Sequence, residues 1–138
     1  MSFEGIVSAS VIRYPYLWAR EARKGELEGR KARPVVVAFR LTITKPADTL
    51  IVFPISTKLP SPESLAIEIP ETEKVRAGLD AGQRLWIIFD EYNQDSVGES
   101  FYLSPDPPMG KFGRAFFLKL IDAYVANRSR VRGVKRNS

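Results

Sequence analysis

Short apolar runs, broken by glycine- and proline-rich stretches, occupy most of the chain, and one helical period closes it. Gly5 to Trp18 is rich in β-branched and aromatic residues and predicts one or two strands. Ala19 to Lys31 is polar. Gly25 and Gly29 make it a loop that can begin as a short helix. Arg33-Pro34 opens a strand over Val35 to Ile43, because a strand's first residue tolerates Pro. Pro46-Ala47-Asp48 predicts a turn. Thr49 to Ile55 predicts a further strand, with Pro54 marking its margin. Leu59 to Ser64 is a proline loop, and Leu65 to Ile69 alternates as a short strand. Pro70 to Leu79 predicts a short helix, with acids in its first turn and Gly78 as its stop. Arg84 to Tyr92 is the most apolar strand and is expected at the centre of the sheet. Ser100 to Leu103 adds a short strand, and Pro105 to Gly110 is a rigid loop.

Between Phe112 and Val125, the residues Phe116, Phe117, Leu120, Ile121, Tyr124 and Val125 recur at helical spacing. Lys119 and Asp122 lie opposite, so this is an amphipathic helix laid on a sheet. Many short strands, one small helix and a closing helix predict a mainly β fold. The expected architecture is a small β-barrel plus helix, or a strongly bent antiparallel sheet, of about six strands with the C-terminal helix packed across it.

The chain has 138 residues, enough for one domain that buries about two-thirds of its unfolded surface. It has no Cys and no His. That excludes a disulfide framework, a thiolate nucleophile, a Ser-His relay and the commonest zinc ligands. No cofactor and no metal is expected. Asp90 to Asp95 superficially resembles a calcium loop, but the turn glycine is missing and the ligand spacing is wrong. These polar residues read as turn formers at the end of a strand. The glycines from Gly25 to Lys31 do not fit a phosphate-binding loop either. No apolar run approaches the roughly 20 residues of a membrane-spanning helix. The N-terminus carries an acid where a signal peptide has its basic stretch, so a cytoplasmic protein with no membrane contact is expected, and the sequon at Asn127 is without meaning.

Net charge is +5. Arg128, Arg130, Arg132, Lys135 and Arg136 account for all of it, because the preceding residues balance. The expected division is a single domain over 1–127 and a basic, disordered tail over 128–138. Within the body, bases dominate the first 62 residues and acids dominate residues 63–106. A basic region can attract phosphate, and a basic tail can add to it.

Three segments stand out in order: Glu28-Gly29-Arg30-Lys31-Ala32-Arg33-Pro34, then Phe53-Pro54-Ile55-Ser56-Thr57, then the strand Leu85 to Phe89 ending in Asp90. Together they resemble the PemK/MazF family of bacterial growth-inhibiting toxins, over roughly Ile6 to Val125. That family shows a loop acid five residues before Arg-Pro, an apolar strand, a second strand ending Pro-x-[ST]-[ST], and a closing helix. The resemblance implies an SH3-like barrel of the MazF/CcdB type and a homodimer. It implies the toxin component of a toxin-antitoxin system, a metal-independent endoribonuclease on single-stranded RNA, held by a cognate antitoxin protein. The alternatives are a non-catalytic protein-binding or gyrase-poison-like module on the same fold, since the structural cousin CcdB poisons gyrase and cuts nothing, or a barrel that binds RNA without cutting it. By the resemblance the catalytic pair is Arg33 and Ser56, and the loop acid is Glu28. Ile88 and Asn93 stand where the plasmid-borne ribonucleases carry basic residues.

The residues suit the chemistry. Metal-free RNA cleavage uses the neighbouring 2′-hydroxyl and needs a base, an acid and charge at phosphorus. Arg33 offers a planar donor fork for phosphate oxygens but is a poor proton shuttle. Ser56 and Thr57 can donate to a phosphate oxygen. Glu28 can orient Arg33 or accept a proton, and Asp90 is a second base. Arg30, Lys31 and Lys58 are the expected RNA-binding cations. The structural alternative is an Arg33–Glu28 surface pair with Ser56 capping a turn.

Overall fold

The computed structural model describes residues 3–26, 31–44, 47–100 and 102–136. Among these residues the elements run β1 (Ser10–Tyr14), α1 (Ala19–Arg23), β2 (Arg33–Thr44), β3 (Ala47–Ser56), β4 (Ala66–Glu68), α2 (Glu71–Arg76), β5 (Trp86–Ile88), β6 (Glu91–Ser96), β7 (Gly110–Lys111) and α3 (Arg114–Ala126). A 3-10 turn over Arg128–Arg130 and strand β8 (Arg132–Lys135) follow. The fold is mainly β. The strand order is β4-β5-β3-β2-β1-β7, with β6 on β3 and β8 on β6. All pairs are antiparallel except β6 with β8, which is parallel. The hydrogen-bonded path does not close, because β4 and β7 stand at its ends.

The long β2–β3 hairpin is covered on both faces, which is why both strands read as unbroken apolar runs rather than alternating ones. Val36, Ala38, Ile51, Phe53 and Ile55 turn to one core, with Phe112, Phe116 and Leu120 around α3. Val35, Val37, Leu50 and Val52 turn to the other, with Ile12, Tyr14 and Tyr16. The period of two assigns each residue to its side. Tyr124 of α3 stacks on Phe53 at 5.4 Å and on Phe39 at 5.7 Å, so the closing helix lies across the sheet as its pattern predicts.

Pro54 sits where β3 changes neighbours. Residues Thr49 to Val52 pair with β6, and Ile55 and Ser56 pair with β5. A residue without an amide hydrogen suits the gap between two partners. The same gap explains the main departure from the pattern. Arg84 to Tyr92 is not one central strand but two, broken at Asp90, because the chain leaves one half of β3 and joins the other. The polar stretch beyond Asp90 is strand β6, not a turn. Its alternate residues Asn93 and Asp95 are buried and hydrogen-bonded. Ser100 and its described neighbours form no strand. Ser100 instead donates to Asp95 Oδ2 at 2.6 Å and accepts the amide of Tyr102.

The basic C-terminal segment is not a disordered tail. Residues 128–135 turn once and pair with β6, with Glu91 opposite Arg132 and Asn93 opposite Val134. The reason lies in Arg136, whose side chain is enclosed among carbonyls and rings. Residues 137–138 lie outside the described residues.

Candidate functional site

The ends of β2, β3 and β5 and the start of β6 meet at one edge of the sheet, and α1 closes over them. Arg33 opens β2 opposite Tyr14, and Ser56 closes β3 opposite Trp86. Between them lies a cleft of about 580 Å3. Arg33, Ser56, Thr57, Lys58 and Asp90 all line it. The residues singled out in three separate stretches of sequence therefore share one cavity. Lys31 does not line it. Lys31 borders a neighbouring hollow of about 400 Å3, on the other side of Arg33 and Thr57. Glu28 and Arg30 lie outside the described residues.

Arg33 is half-buried. Its guanidinium stands 5.4 Å from the centre of the Trp18 ring, and that of Arg20 stands 4.9 Å from the same ring. Such contacts hold a guanidinium in place without using its N–H donors. The Nε of Arg33 is buried and has no hydrogen-bond partner among the described residues. An unmet buried donor costs about 1–3 kcal/mol, and an acceptor entering the cleft would relieve it.

Ser56 Oγ accepts the backbone N–H of Lys58 at 3.0 Å. This tight turn occupies a lone pair and leaves the hydroxyl proton to donate elsewhere. It also fixes Thr57 and Lys58, both exposed, at the cleft edge.

Asp90 lies in the break between β5 and β6, and Glu91 begins β6. Both line the cleft. Glu91 is half-buried. Its Oε1 accepts the Ala19 amide at 2.8 Å and the Tyr16 hydroxyl at 3.0 Å. Burial pushes its carboxyl above the usual range, and the adjacent Asp90 charge adds to that. The Ala19 and Tyr16 hydrogen bonds and the Arg20 charge oppose it. The site thus holds two adjacent half-buried carboxyls on the cleft wall.

Sequence reasoning missed Glu91 and Arg20, whereas Trp18 could be read from the sequence only as an aromatic able to stack a base. Glu91 carried no signal of its own, because its burial depends on the fold of Tyr16 and Ala19 over it. Asn93 explains how that loop is held. Its Nδ2 donates to the Leu17 carbonyl at 2.7 Å, and its Oδ1 accepts the Leu17 amide at 2.8 Å. Among the described residues, no group of three or more Asp, Glu, His or Cys is placed to hold a metal ion. Among the described residues, no helix is long and apolar enough to cross a membrane. No family model, no curated protein and no solved structure matches the chain.

Proposed function

We propose that this chain is the toxin component of a toxin-antitoxin pair, a metal-independent endoribonuclease acting on single-stranded RNA. The observation that carries the reading is the one cleft that gathers Arg33, Ser56, Lys58 and Asp90 from separate strand ends. Cleavage proceeds by attack of a 2′-oxygen on the adjacent phosphorus. The new 2′-O–P bond forms as the P–O5′ bond breaks, leaving a 2′,3′-cyclic phosphate and a 5′-hydroxyl. Asp90 accepts the 2′-proton, and Glu91, whose carboxyl burial shifts upward, donates one to the leaving 5′-oxygen. Solvent then restores the two protonation states. Arg33 grips the non-bridging oxygens with its fork, Ser56 donates its free proton to one of them, and Lys58 adds charge.

The bent sheet, open between β4 and β7, is on this reading a variant of the family's SH3-like barrel. The homodimer and the antitoxin rest on the sequence resemblance alone. Arg33→Ala should abolish cleavage of mixed-sequence RNA, and Ser56→Ala should lower it strongly, each with the urea midpoint left in place. Full activity in Arg33→Ala would remove the proposed site.

A further inference from the structure

The C-terminal segment is pinned by one side chain. Arg136 is only 3% exposed. Its Nη1 donates to the Pro15 carbonyl at 2.7 Å and to Asn93 Oδ1 at 3.0 Å. Its guanidinium lies 3.9 Å from the Tyr102 ring centre and 5.4 Å from that of Tyr14. Enclosing a charge is costly unless it is hydrogen-bonded, and here carbonyl, amide and ring faces surround it. The backbone is fixed as well. Arg132 N donates to the Asp90 carbonyl at 3.0 Å, and Arg136 N donates to that of Gln94 at 2.7 Å.

This anchoring builds a second recess, of about 330 Å3. Arg20 and Arg23 of α1 form one wall, Arg130 and Arg132 the other, with Asp90 and Glu91 between. Arg20, Asp90 and Glu91 also line the first cleft, so the two hollows adjoin. All four arginines are exposed. Among the described residues Arg20, Arg23 and Arg132 enter no ion pair, and Arg130 gives one N–H to the Glu63 carbonyl. Four guanidinium groups facing two carboxyls repel one another, and an anionic ligand relieves that repulsion. A hollow that continues the Arg33 cleft calls for an anion that is itself continuous, which a nucleic acid backbone is.

We infer that Arg130 and Arg132, held by the Arg136 anchor, form with Arg20 and Arg23 a second phosphate subsite for the backbone of a single-stranded RNA leaving the Arg33 cleft. The choice of ligand rests on the ribonuclease reading. The subsite explains why a basic terminal segment is folded at all. A solvated tail would need neither a buried arginine nor a strand register.

The test is fluorescence anisotropy with labelled, mixed-sequence 2′-O-methyl RNA, which cannot be cleaved, across a salt series. Two lengths are used, roughly 4 and roughly 12 nucleotides, both within the range of single-strand site sizes. The variants are Arg130→Ala with Arg132→Ala, both replaced by Lys, and a control pair on α3, Arg114→Ala with Lys119→Ala. The alanine pair should weaken binding of the longer RNA by about tenfold or more at low salt and lower the salt slope by roughly 1 to 1.5. The lysine pair should keep most of that slope, and the α3 pair should bind like the unchanged protein. The short RNA should lose little. An unchanged slope in the alanine pair, an equal loss in the α3 pair, or no RNA binding by the unchanged protein would each overturn the subsite. If the unchanged protein binds with this arginine-dependent slope yet cuts no natural RNA, the subsite stands and the cleavage reading falls.

Discussion

Replacing Asn93 by Ala should destabilise the protein by about 3–5 kcal/mol. The side chain is 0% exposed and makes three hydrogen bonds. It accepts from Leu17 N at 2.8 Å and Arg136 Nη1 at 3.0 Å, and donates to Leu17 O at 2.7 Å. Leu17 is 3% exposed, so its freed N–H and C=O find no water without a rearrangement. Leaving a buried polar group unmet costs about 1–3 kcal/mol, and more where the group is charged, as at Arg136. Two backbone groups and one weakened charge, taken near the lower end of that range, give the stated total. For a chain of this size each kcal/mol lowers Tm by about 2–4 °C, so a fall of roughly 10 °C is expected. Urea unfolding, followed by tryptophan fluorescence with the m-value checked, reads the loss directly. Asn93→Asp keeps both acceptor contacts but sets an acceptor against the Leu17 carbonyl and buries a charge, so it should destabilise as well. A loss below about 1 kcal/mol for Ala would refute the idea that this amide locks the loop, β6 and the C-terminal segment together.

Ser56→Ala should lower the cleavage rate by about a hundredfold or more, the scale of one donor to a transition-state oxyanion, with little change in urea midpoint. Glu91→Gln should change both activity and the pH dependence of stability. Burial raises the folded carboxyl's affinity for its proton, so stability from Glu91 is present at low pH and is lost as pH rises from the ordinary carboxyl range through the raised folded value. Unfolding at stepped pH should show that decline flattened in the Gln variant, while a parallel decline would show that Glu91 is not its source. Gly78→Ala should destabilise by about 2 kcal/mol or more, because its φ is +71° and an added Cβ would run into the Met109 carbonyl oxygen. An unchanged midpoint in that variant would contradict the packing of α2 against the chain before β7.

Period and punctuation made the main elements legible. The valines after Arg33-Pro34, the apolar run to Ser56 and the 3.6-residue recurrence from Phe116 to Tyr124 all state local preferences that packing reinforces. Arg33, Ser56, Thr57, Lys58 and Asp90 were singled out through the segments that resemble a known family, and the sheet brings them to one cleft. What escaped was set by distant partners. The strand break at Asp90 depends on β3 offering two partners in succession. Asn93 and Asp95 look like turn residues until Leu17 and Tyr14 are placed against them. Arg136 looks like one more solvated charge, because neither the Pro15 carbonyl nor the Tyr102 ring is near it in sequence. Glu91 became chemically distinctive only once Tyr16 and Ala19 covered it.

On the proposed reading, the cleft around Arg33 cuts RNA with side chains alone. The most direct measurement incubates the purified protein with mixed-sequence single-stranded RNA in EDTA, beside Arg33→Ala, and maps the product ends. Cleavage at a few repeated short sequences, giving 2′,3′-cyclic phosphate and 5′-hydroxyl ends and lost in the variant, is the predicted result. RNA left intact by the unchanged protein, or cut equally well by Arg33→Ala, would contradict it. Intact RNA would turn attention to a non-catalytic binding module on the same fold.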